Sequence, residues 1–176
     1  MLSQPKPSKS INDAMLDCLK DVIYPQQLYT LGLEDLKDKR IGRAKLSGWR
    51  FTGKLAGRDM CVHVGHRIQS GSPAVSRLSY GPYVTSARNA IRKAVESPEV
   101  RAHRYELRLL AIPALSVEAV WLKSQTGKHD LMVPYLSAAG LRPMFFYPLD
   151  RFLTILQPKA QERLTFDDSP HMRRRQ

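Results

Sequence analysis

One short stretch, DMCVHVGH, concentrates side chains that could do chemistry. It holds Cys61, His63 and His66, which are one of the chain's two cysteines and two of its five histidines. In a strand the side chains of Cys61 and His63 point the same way, so both could reach one metal ion. However, the C-x-H-x2-H spacing is not that of a structural zinc site. We therefore expect no bound metal, and these three residues stay candidates only.

Cys61 and His63 could also form a nucleophile and its general base. Residues i and i+2 on a strand lie about 6–7 Å apart at Cα, which long side chains can bridge. Such a pair needs an orienting Asn or Asp, and nothing in the sequence marks one. We favour the alternative in which Cys61 packs as a small apolar side chain and His63 lies on a half-exposed strand. Motifs for phosphate loops, dinucleotides, zinc proteases and calcium are absent, so no cofactor is expected.

The positive charge of the chain is concentrated in its middle. The net charge is +12, and residues 37–108 carry sixteen basic and five acidic side chains, a net +11. The first 36 residues carry three lysines and five acids, a net −2. A field of this sign attracts acidic protein surfaces, nucleic acid and anionic membranes. The basic middle of the chain is therefore the first place to look for a binding surface.

We expect this basic region to bind an acidic partner protein, as a non-catalytic adaptor or accessory domain. Arginine outnumbers lysine there, which favours bidentate contacts to carboxylate or phosphate. The expected contacts are Arg43, Arg50, Lys54, Arg58, Arg88, Arg92 and Lys93. The alternative is a nucleic-acid binder that uses the same residues, with Trp49 or Phe51 stacking on bases. A third hypothesis is an enzyme or metal site at Cys61 and His63, and a solvated basic surface without a partner is the plainest explanation.

The pattern of apolar residues predicts an α+β domain. KLSGWRFTGKL and DMCVHVGH alternate and form a hairpin around the turn at Gly57. Three further strands are predicted in HRYELRLLAIP, LSVEAVWLKS and LMVPYL, with Pro113 between the first two and Pro134 indicating an edge. Glu106 and Glu118 alternate with apolar neighbours, so we expect both to face solvent. The prediction is a curved, antiparallel sheet of about five strands, with about three helices on one face.

Four helical segments are considered. Ile11, Met15, Cys18, Leu19 and Val22 share one helical face, and a short helix over 25–36 is possible. Pro82 begins another helix, whose predicted inner face is Val84, Ala87, Ile91 and Val95. The segment between the hairpin and this helix, 65–81, has the composition of a loop. Pro148 begins the last helix, in which Leu149, Phe152, Leu153 and Leu156 face inward.

The domain organisation follows from these patterns. Residues 1–10 are expected to be a disordered lead, 11–156 a single domain, and 157–176 a disordered basic tail. Two cysteines fit a reduced compartment, the start lacks a signal-peptide core, and no apolar run is long enough for a membrane helix. We therefore expect a soluble, cytoplasmic protein.

The segment from Gly81 to Leu136 resembles an uncharacterised family of small bacterial proteins. The shared features are a Gly-Pro-aromatic helix start (GPY), a YELR strand, a PAL turn, a strand that ends at Trp-Leu, and a short strand with Pro134. The WRF of the first hairpin fits as well, and the resemblance covers roughly residues 48–156. It implies the fold but no activity, so it transfers no catalytic residue. The family looks less basic than this chain, which weakens nucleic-acid binding as a family-wide role.

Overall fold

The core of the protein is an eight-stranded sheet. The computed structural model describes residues 25–55, 58–69, 72–126, 129–137 and 139–167. The strands are, in chain order, β1 (Pro25–Thr30), β2 (Lys45–Leu55), β3 (Arg58–Gln69), β4 (Ser72–Tyr80), β5 (Tyr105–Ile112), β6 (Val117–Ser124), β7 (Leu131–Leu136) and β8 (Tyr147–Pro148). Their order across the sheet is β4-β3-β2-β1-β5-β6-β7-β8. All neighbours are antiparallel except β1 and β5, which are parallel.

The predicted α+β class is confirmed, but the sheet is only mostly antiparallel, because β1 and β5 are parallel, and the count of about five strands is wrong. β1 occupies part of the segment assigned to a possible helix, and β4 occupies a segment assigned to a loop. Both have weak strand propensity, yet both gain backbone hydrogen bonds from longer neighbours. β1 lies between β2 and β5, and β4 pairs with β3. Pairing with a preformed strand therefore overrides the local composition.

The hairpin of β2 and β3 is confirmed, with Arg50 opposite His63 and Thr52 opposite Cys61. At its open end the two backbones approach closely at Gly48. A Cβ at that position would lie 2.1 Å from the carbonyl oxygen of Val64, so only glycine fits. β5, β6 and β7 follow the predicted segments, and the 3-10 turn Pro113–Leu115 separates β5 from β6.

Two major helices pack on the sheet. The helices are α1 (Leu33–Lys37), α2 (Pro82–Glu96), α3 (Pro98–Ala102) and α4 (Leu149–Asp167). Pro82 is the first residue of α2, as predicted, and it follows Gly81, whose φ of 86° suits glycine. The predicted inner face of α2 is correct for Val84 and Ala87. It is wrong for Val95, which is 51% exposed, because Ala90 and Ala94 fill the inner positions.

The last helix is longer than the sequence pattern indicates. Phe152, Leu153 and Leu156 are buried as predicted, but α4 continues through Pro158 to Asp167 and buries Ala160 as well. The assignment of 157–167 to a tail is therefore wrong, because the helix continues for about three more turns and Ala160 packs against the core. The rest of the predicted tail, the lead at 1–10 and the helix predicted within 11–22 lie outside the described residues.

The helices lie on both faces of the sheet, whereas we expected them on one face. Alternation in β6 shows this directly. Ala119 and Trp121 belong to a buried cluster with Phe152 of α4, while Val120 and Leu122 belong to a second cluster with the alanines of α2. The protein is thus a single α+β domain with a helix on each side of its central strands. Within the described residues, no helix is long and apolar enough to cross a membrane.

Candidate functional site

A buried arginine lies at the centre of the most connected polar cluster of the described residues. Arg50 of β2 is 1% exposed. Its Nη2 donates to Glu118 Oε2 at 2.8 Å and to Tyr83 OH at 2.6 Å, and its Nη1 donates to Tyr135 OH. Its Nε donates to Nε2 of His63 at 3.2 Å. We call these five residues the Arg50 cluster.

Glu118 is the counter-ion of Arg50. Its Oε2 also accepts hydrogen bonds from the hydroxyls of Tyr83 and Tyr135, each at 2.6 Å. Burial alone would raise the pKa of Glu118, but the charge of Arg50 and these hydrogen bonds hold it below its usual value. The expectation that Glu118 faces solvent is wrong, since its side chain is only 17% exposed. Glu106, by contrast, is exposed as expected and pairs with Arg108.

The other members of the cluster are held in their neutral forms. Burial, and then the charge of Arg50, lower the pKa of His63 to about 4, so the imidazole is uncharged at neutral pH. Since Nε2 accepts from Arg50, the proton of the neutral ring belongs on Nδ1. Burial also raises the pKa of Tyr83 and of Tyr135 well above the usual value. The cluster is thus one ion pair surrounded by neutral hydrogen-bonding groups.

The described contacts of Cys61 and His63 are with different residues. His63 Nε2 faces Arg50, and Cys61 is buried beside Ser79, its partner on β4. Burial raises the pKa of the Cys61 thiol, which makes the thiolate scarce at neutral pH. The side chain of His66 lies outside the described residues. Across the described ranges, no three His, Cys, Asp or Glu residues are grouped to hold a metal ion.

The second candidate site is an exposed surface around α2. Three adjoining cavities, of about 550, 600 and 800 Å³, surround the outer side of this helix. The central one lies between α2 and strands β1 and β2, and we call it the α2 cleft. Its lining residues are Gln26, Thr52, Lys54, Asp59, Arg88, Asn89, Ile91, Arg92, Val95 and Glu96. Lys54, Asp59 and Arg88 also line the largest cavity, which links the cleft to the hairpin end.

Five of the seven predicted contact residues line these cavities. Lys54 and Arg58 come from the hairpin, and Arg88, Arg92 and Lys93 come from α2. Together with the carboxylates of Asp59 and Glu96, which line the same cavities, they give a net charge of +3. Strand β4 lies between the hairpin and α2 along the chain, so only the tertiary fold brings the hairpin and the helix together.

Local contacts fix the orientation of several of these cations. Asp59 accepts hydrogen bonds from Arg88 and from Thr85, the latter at 3.0 Å. Lys93 donates to the carbonyl oxygen of Met144, and Arg92 Nη2 donates to Asn89 Oδ1 at 3.1 Å. The acceptors of Lys93 and Arg92 in these two hydrogen bonds are uncharged oxygens. The hydrogen bonds therefore do not neutralise the positive charges of the two side chains.

The remaining predicted contacts are placed elsewhere. The prediction that Arg50 is a surface contact is wrong, because its side chain is buried in the Arg50 cluster. Arg43 is exposed, but it precedes β2 and is separated from Lys54 by about 30 Å of extended chain. Trp49 and Phe51 alternate with Arg50 along β2, so they point to the opposite side of the sheet from α2. They cannot stack on a ligand in the α2 cleft.

Three of the four side chains that contact Arg50 were not identified from the sequence. Tyr83 was visible only as part of a helix start, Tyr135 as part of an apolar strand, and Glu118 as a solvent-facing residue. Each comes from a different element, namely α2, β7 and β6. The one indication in the sequence was the single carboxylate of Glu118 within the apolar run VEAVWL, and it does not identify the residue with which Glu118 pairs.

Comparison with known proteins gives no match to any family model, curated protein or solved structure. The resemblance to a family of small bacterial proteins therefore stays a prediction, as does the cytoplasmic location.

Proposed function

We propose that the protein binds an acidic segment of a partner protein in the α2 cleft. The carrying observation is the mixed lining of this cleft. Ile91 and the exposed Val95 provide apolar surface, while Lys54, Arg88 and Arg92 supply positive charge around it. A polypeptide with carboxylates and apolar side chains complements both parts, since apolar contact gives affinity and charge gives orientation and steering.

The geometry supports binding more than catalysis. The hydrogen bonds of the Arg50 cluster join β2, β3, β6, β7 and α2. In a flat sheet β2 and β6 would lie about 14 Å apart, because β1 and β5 separate them. We infer that the sheet curves around α2, which draws these side chains together and holds the helix in place. A fixed helix presents its outer cations in a defined arrangement, as a preorganised binding surface requires.

Nucleic acid is the second candidate, because one exposed aromatic side chain favours it. Tyr80 is 48% exposed and lines the largest cavity with Lys54 and Arg58. An aromatic ring beside two cations is suited to stacking on a base next to a phosphate. This role would replace the one first expected of Trp49 and Phe51. Protein remains the first candidate, because the apolar lining of the cleft has no use in a phosphate contact.

The test uses fluorescein-labelled probes and fluorescence anisotropy. The probes are a twelve-residue peptide of alternating Glu and Leu, a twelve-residue poly-Glu peptide, and single-stranded and duplex DNA of 20 nucleotides or base pairs. We expect the Glu-Leu peptide to bind most tightly. The double variant Lys54→Glu with Arg92→Glu should weaken this binding by roughly 10- to 100-fold, about 1.4–2.8 kcal/mol.

The matched control carries the same charge change outside the cleft. Arg43→Glu with Lys45→Glu reverses two exposed cations before and at the start of β2, and it should leave peptide binding within about twofold. Equal loss in both double variants would show that only net charge matters, which contradicts a specific cleft. Tighter binding of DNA would establish the second candidate instead, if the logarithm of its binding constant falls linearly with the logarithm of the salt concentration and the slope corresponds to several phosphate contacts.

A further inference from the structure

The carboxylate of Asp59 joins the hairpin of β2 and β3 to α2. Its Oδ1 accepts a hydrogen bond from Nη1 of Arg88, and its Oδ2 accepts one of 3.0 Å from the hydroxyl of Thr85. Lys54 lies directly opposite Asp59 in the hairpin, and the Cβ atoms of such cross-strand pairs are about 5 Å apart. The carboxylate of Asp59 therefore contacts a guanidinium and a hydroxyl group and lies beside a lysine.

These neighbours have the chemistry of a carboxylate-binding site. A guanidinium and a hydroxyl group both donate hydrogen bonds to carboxylate oxygens, and those from the charged donor are the stronger ones. Lysine adds a positive charge on a flexible stem. We call Lys54, Thr85 and Arg88 the carboxylate subsite. Its occupant in this structure is the protein's own Asp59.

The carboxylate subsite lies where two of the cavities around α2 meet. Lys54, Asp59 and Arg88 line both the α2 cleft and the largest cavity, and Thr85 lines the largest cavity as well. A polypeptide that extends from Ile91 in the cleft toward the hairpin end must therefore pass Asp59. Two carboxylates at one site repel each other, so an acidic ligand and Asp59 compete for the same donors.

The position of Asp59 permits this exchange. The pairing of β3 with β4 ends at Met60 and Tyr80, and the chain then turns at Gly81 into α2, so Asp59 lies beyond the end of β4. The side chains of Asp59 and Arg88 are 18% and 30% exposed, and water weakens an ion pair that it can reach. A ligand can therefore replace Asp59 at Arg88 without opening the buried clusters of the protein.

We propose that Lys54, Thr85 and Arg88 bind a carboxylate of the partner segment, and that Asp59 occupies this subsite until the partner displaces it. The inference rests on the proposed binding of an acidic segment in the α2 cleft. Asp59 then lowers the affinity for every acidic ligand. It also selects for ligands with a carboxylate at this point, because only a carboxylate restores the charge-assisted hydrogen bond that Arg88 gives up.

A double-mutant cycle tests this competition. The variants are Asp59→Asn, Arg88→Gln and the two together, and the ligand is the fluorescein-labelled Glu-Leu peptide. Asparagine keeps the shape of Asp59 and removes its charge, so we expect the peptide to bind roughly three- to tenfold more tightly. In the Arg88→Gln background the same change should alter the affinity by less than about twofold, because the donor for which Asp59 competes is gone. An equal gain in both backgrounds would overturn the proposal, since Asp59 would then act only through net charge.

The matched control is Glu96→Gln. Glu96 is exposed and lines the same cleft, and its replacement changes the net charge as Asp59→Asn does. We expect it to raise the affinity for the Glu-Leu peptide by no more than about twofold. A gain as large as that of Asp59→Asn would contradict a specific role of Asp59.

A ligand without carboxylates tests the selection. The probe is an amidated twelve-residue peptide of alternating Gln and Leu, which keeps the apolar side chains of the Glu-Leu peptide. Asp59→Asn should change its affinity by less than about twofold, because this peptide has no carboxylate to place in the subsite. A gain equal to that of the Glu-Leu peptide would overturn the assignment of the subsite to carboxylates.

Displacement can also be observed in the native protein by NMR. The carbon-13 signal of the Asp59 carboxylate reports its contact with Arg88, and Arg88→Gln gives the position of this signal without the contact. We expect the Glu-Leu peptide to move the signal of the native protein toward that position. A bound peptide with an unmoved signal would show that Asp59 stays in the subsite, against the proposal.

The results distinguish this proposal from the proposed function. Absence of Glu-Leu peptide binding by both the native protein and Asp59→Asn would contradict the α2 cleft as a binding site, and the carboxylate subsite with it. Binding by the native protein without a gain in Asp59→Asn would support the cleft and contradict only the displacement of Asp59.

Discussion

Arginine has opposite roles in two adjoining regions of this protein. In the Arg50 cluster a single guanidinium is buried and contacts four side chains. Around the α2 cleft, Arg58 and Arg92 are exposed. A charge in the interior is stabilised only by its partners, whereas a charge on the surface is stabilised by water. The same residue type therefore has buried partners in one region, and in the other it belongs to the surface that we propose for recognition.

A run of basic residues in a sequence therefore does not by itself define a binding surface. Residues 37–108 carry a net charge of +11, but one of the arginines in that range is internal. Mutations that remove charge from the two regions should separate their roles. The expected effects on stability fall from the interior of the cluster to the rim of the cleft.

The largest effect is expected for Glu118→Ala. It leaves Arg50 buried without a counter-ion, which typically costs about 3–5 kcal/mol of the free energy of unfolding. Urea unfolding at pH 7.5 measures this loss. The matched control is Glu106→Ala, which removes an exposed carboxylate and should change stability by no more than about 0.5 kcal/mol. Similar losses in the two variants would show that the cluster does not stabilise the fold.

A smaller loss is expected for Arg50→Lys, which keeps the charge. An ammonium group lacks the planar fork that contacts Glu118, Tyr135 and His63 together, so several buried partners lose a hydrogen bond. We expect a loss of about 2–3 kcal/mol in urea unfolding. Arg43→Lys, at an exposed position, should stay within about 0.5 kcal/mol. An unchanged free energy of unfolding in Arg50→Lys would mean that the positive charge alone, and not the planar shape of the guanidinium, stabilises the cluster.

Acid should destabilise the protein in two steps through this cluster. The pKa of His63 falls from 6.5 to about 4 on folding, so the unfolded chain takes up the proton first. The contribution of His63 to the free energy of unfolding is then fully present above pH 6.5, and it decreases as the pH falls toward 4. Glu118, with its pKa held below 4.5, contributes stability that is lost at still lower pH.

The first step can be isolated with His63→Gln, which keeps an acceptor for Arg50 but does not titrate. Because His63 is partly exposed, we expect its contribution between pH 6.5 and 4 to be only on the order of 1 kcal/mol. Urea unfolding at a series of pH values measures it. The variant should lose this part of the pH dependence and keep the part below pH 4.5. An unchanged slope would rule out His63 as its source.

The smallest effect on stability is expected for Lys54→Glu with Arg92→Glu in the cleft. Both side chains are exposed, and surface substitutions of this kind usually stay within about 0.5 kcal/mol each. The same pair is expected to have the largest effect on binding of the Glu-Leu peptide. Thermal unfolding of the double variant checks the first half of this statement. A loss of several kcal/mol would mean that the cleft is part of the structural core.

The sequence predicted most of the elements that carry a strong period. KLSGWRFTGKL and DMCVHVGH form a hairpin, Pro82 starts a helix, and YELRLLAI and VEAVWLKS are paired strands. These predictions rest on alternation and on proline chemistry, which act within a few residues. The sequence pattern did not predict β1 or β4, because these segments form strands only by pairing with other parts of the chain.

At the candidate sites, the amino-acid sequence specifies which residues are present, whereas their burial and their contacts depend on the tertiary fold. Charge content, the position of the basic region and the cationic residues of α2 could be taken from the sequence, because composition and helical spacing are local properties. The burial of Arg50, its partnership with Glu118 and the opposite orientation of Trp49 could not. They depend on which strands meet across the sheet, and that is fixed only when distant segments pack together.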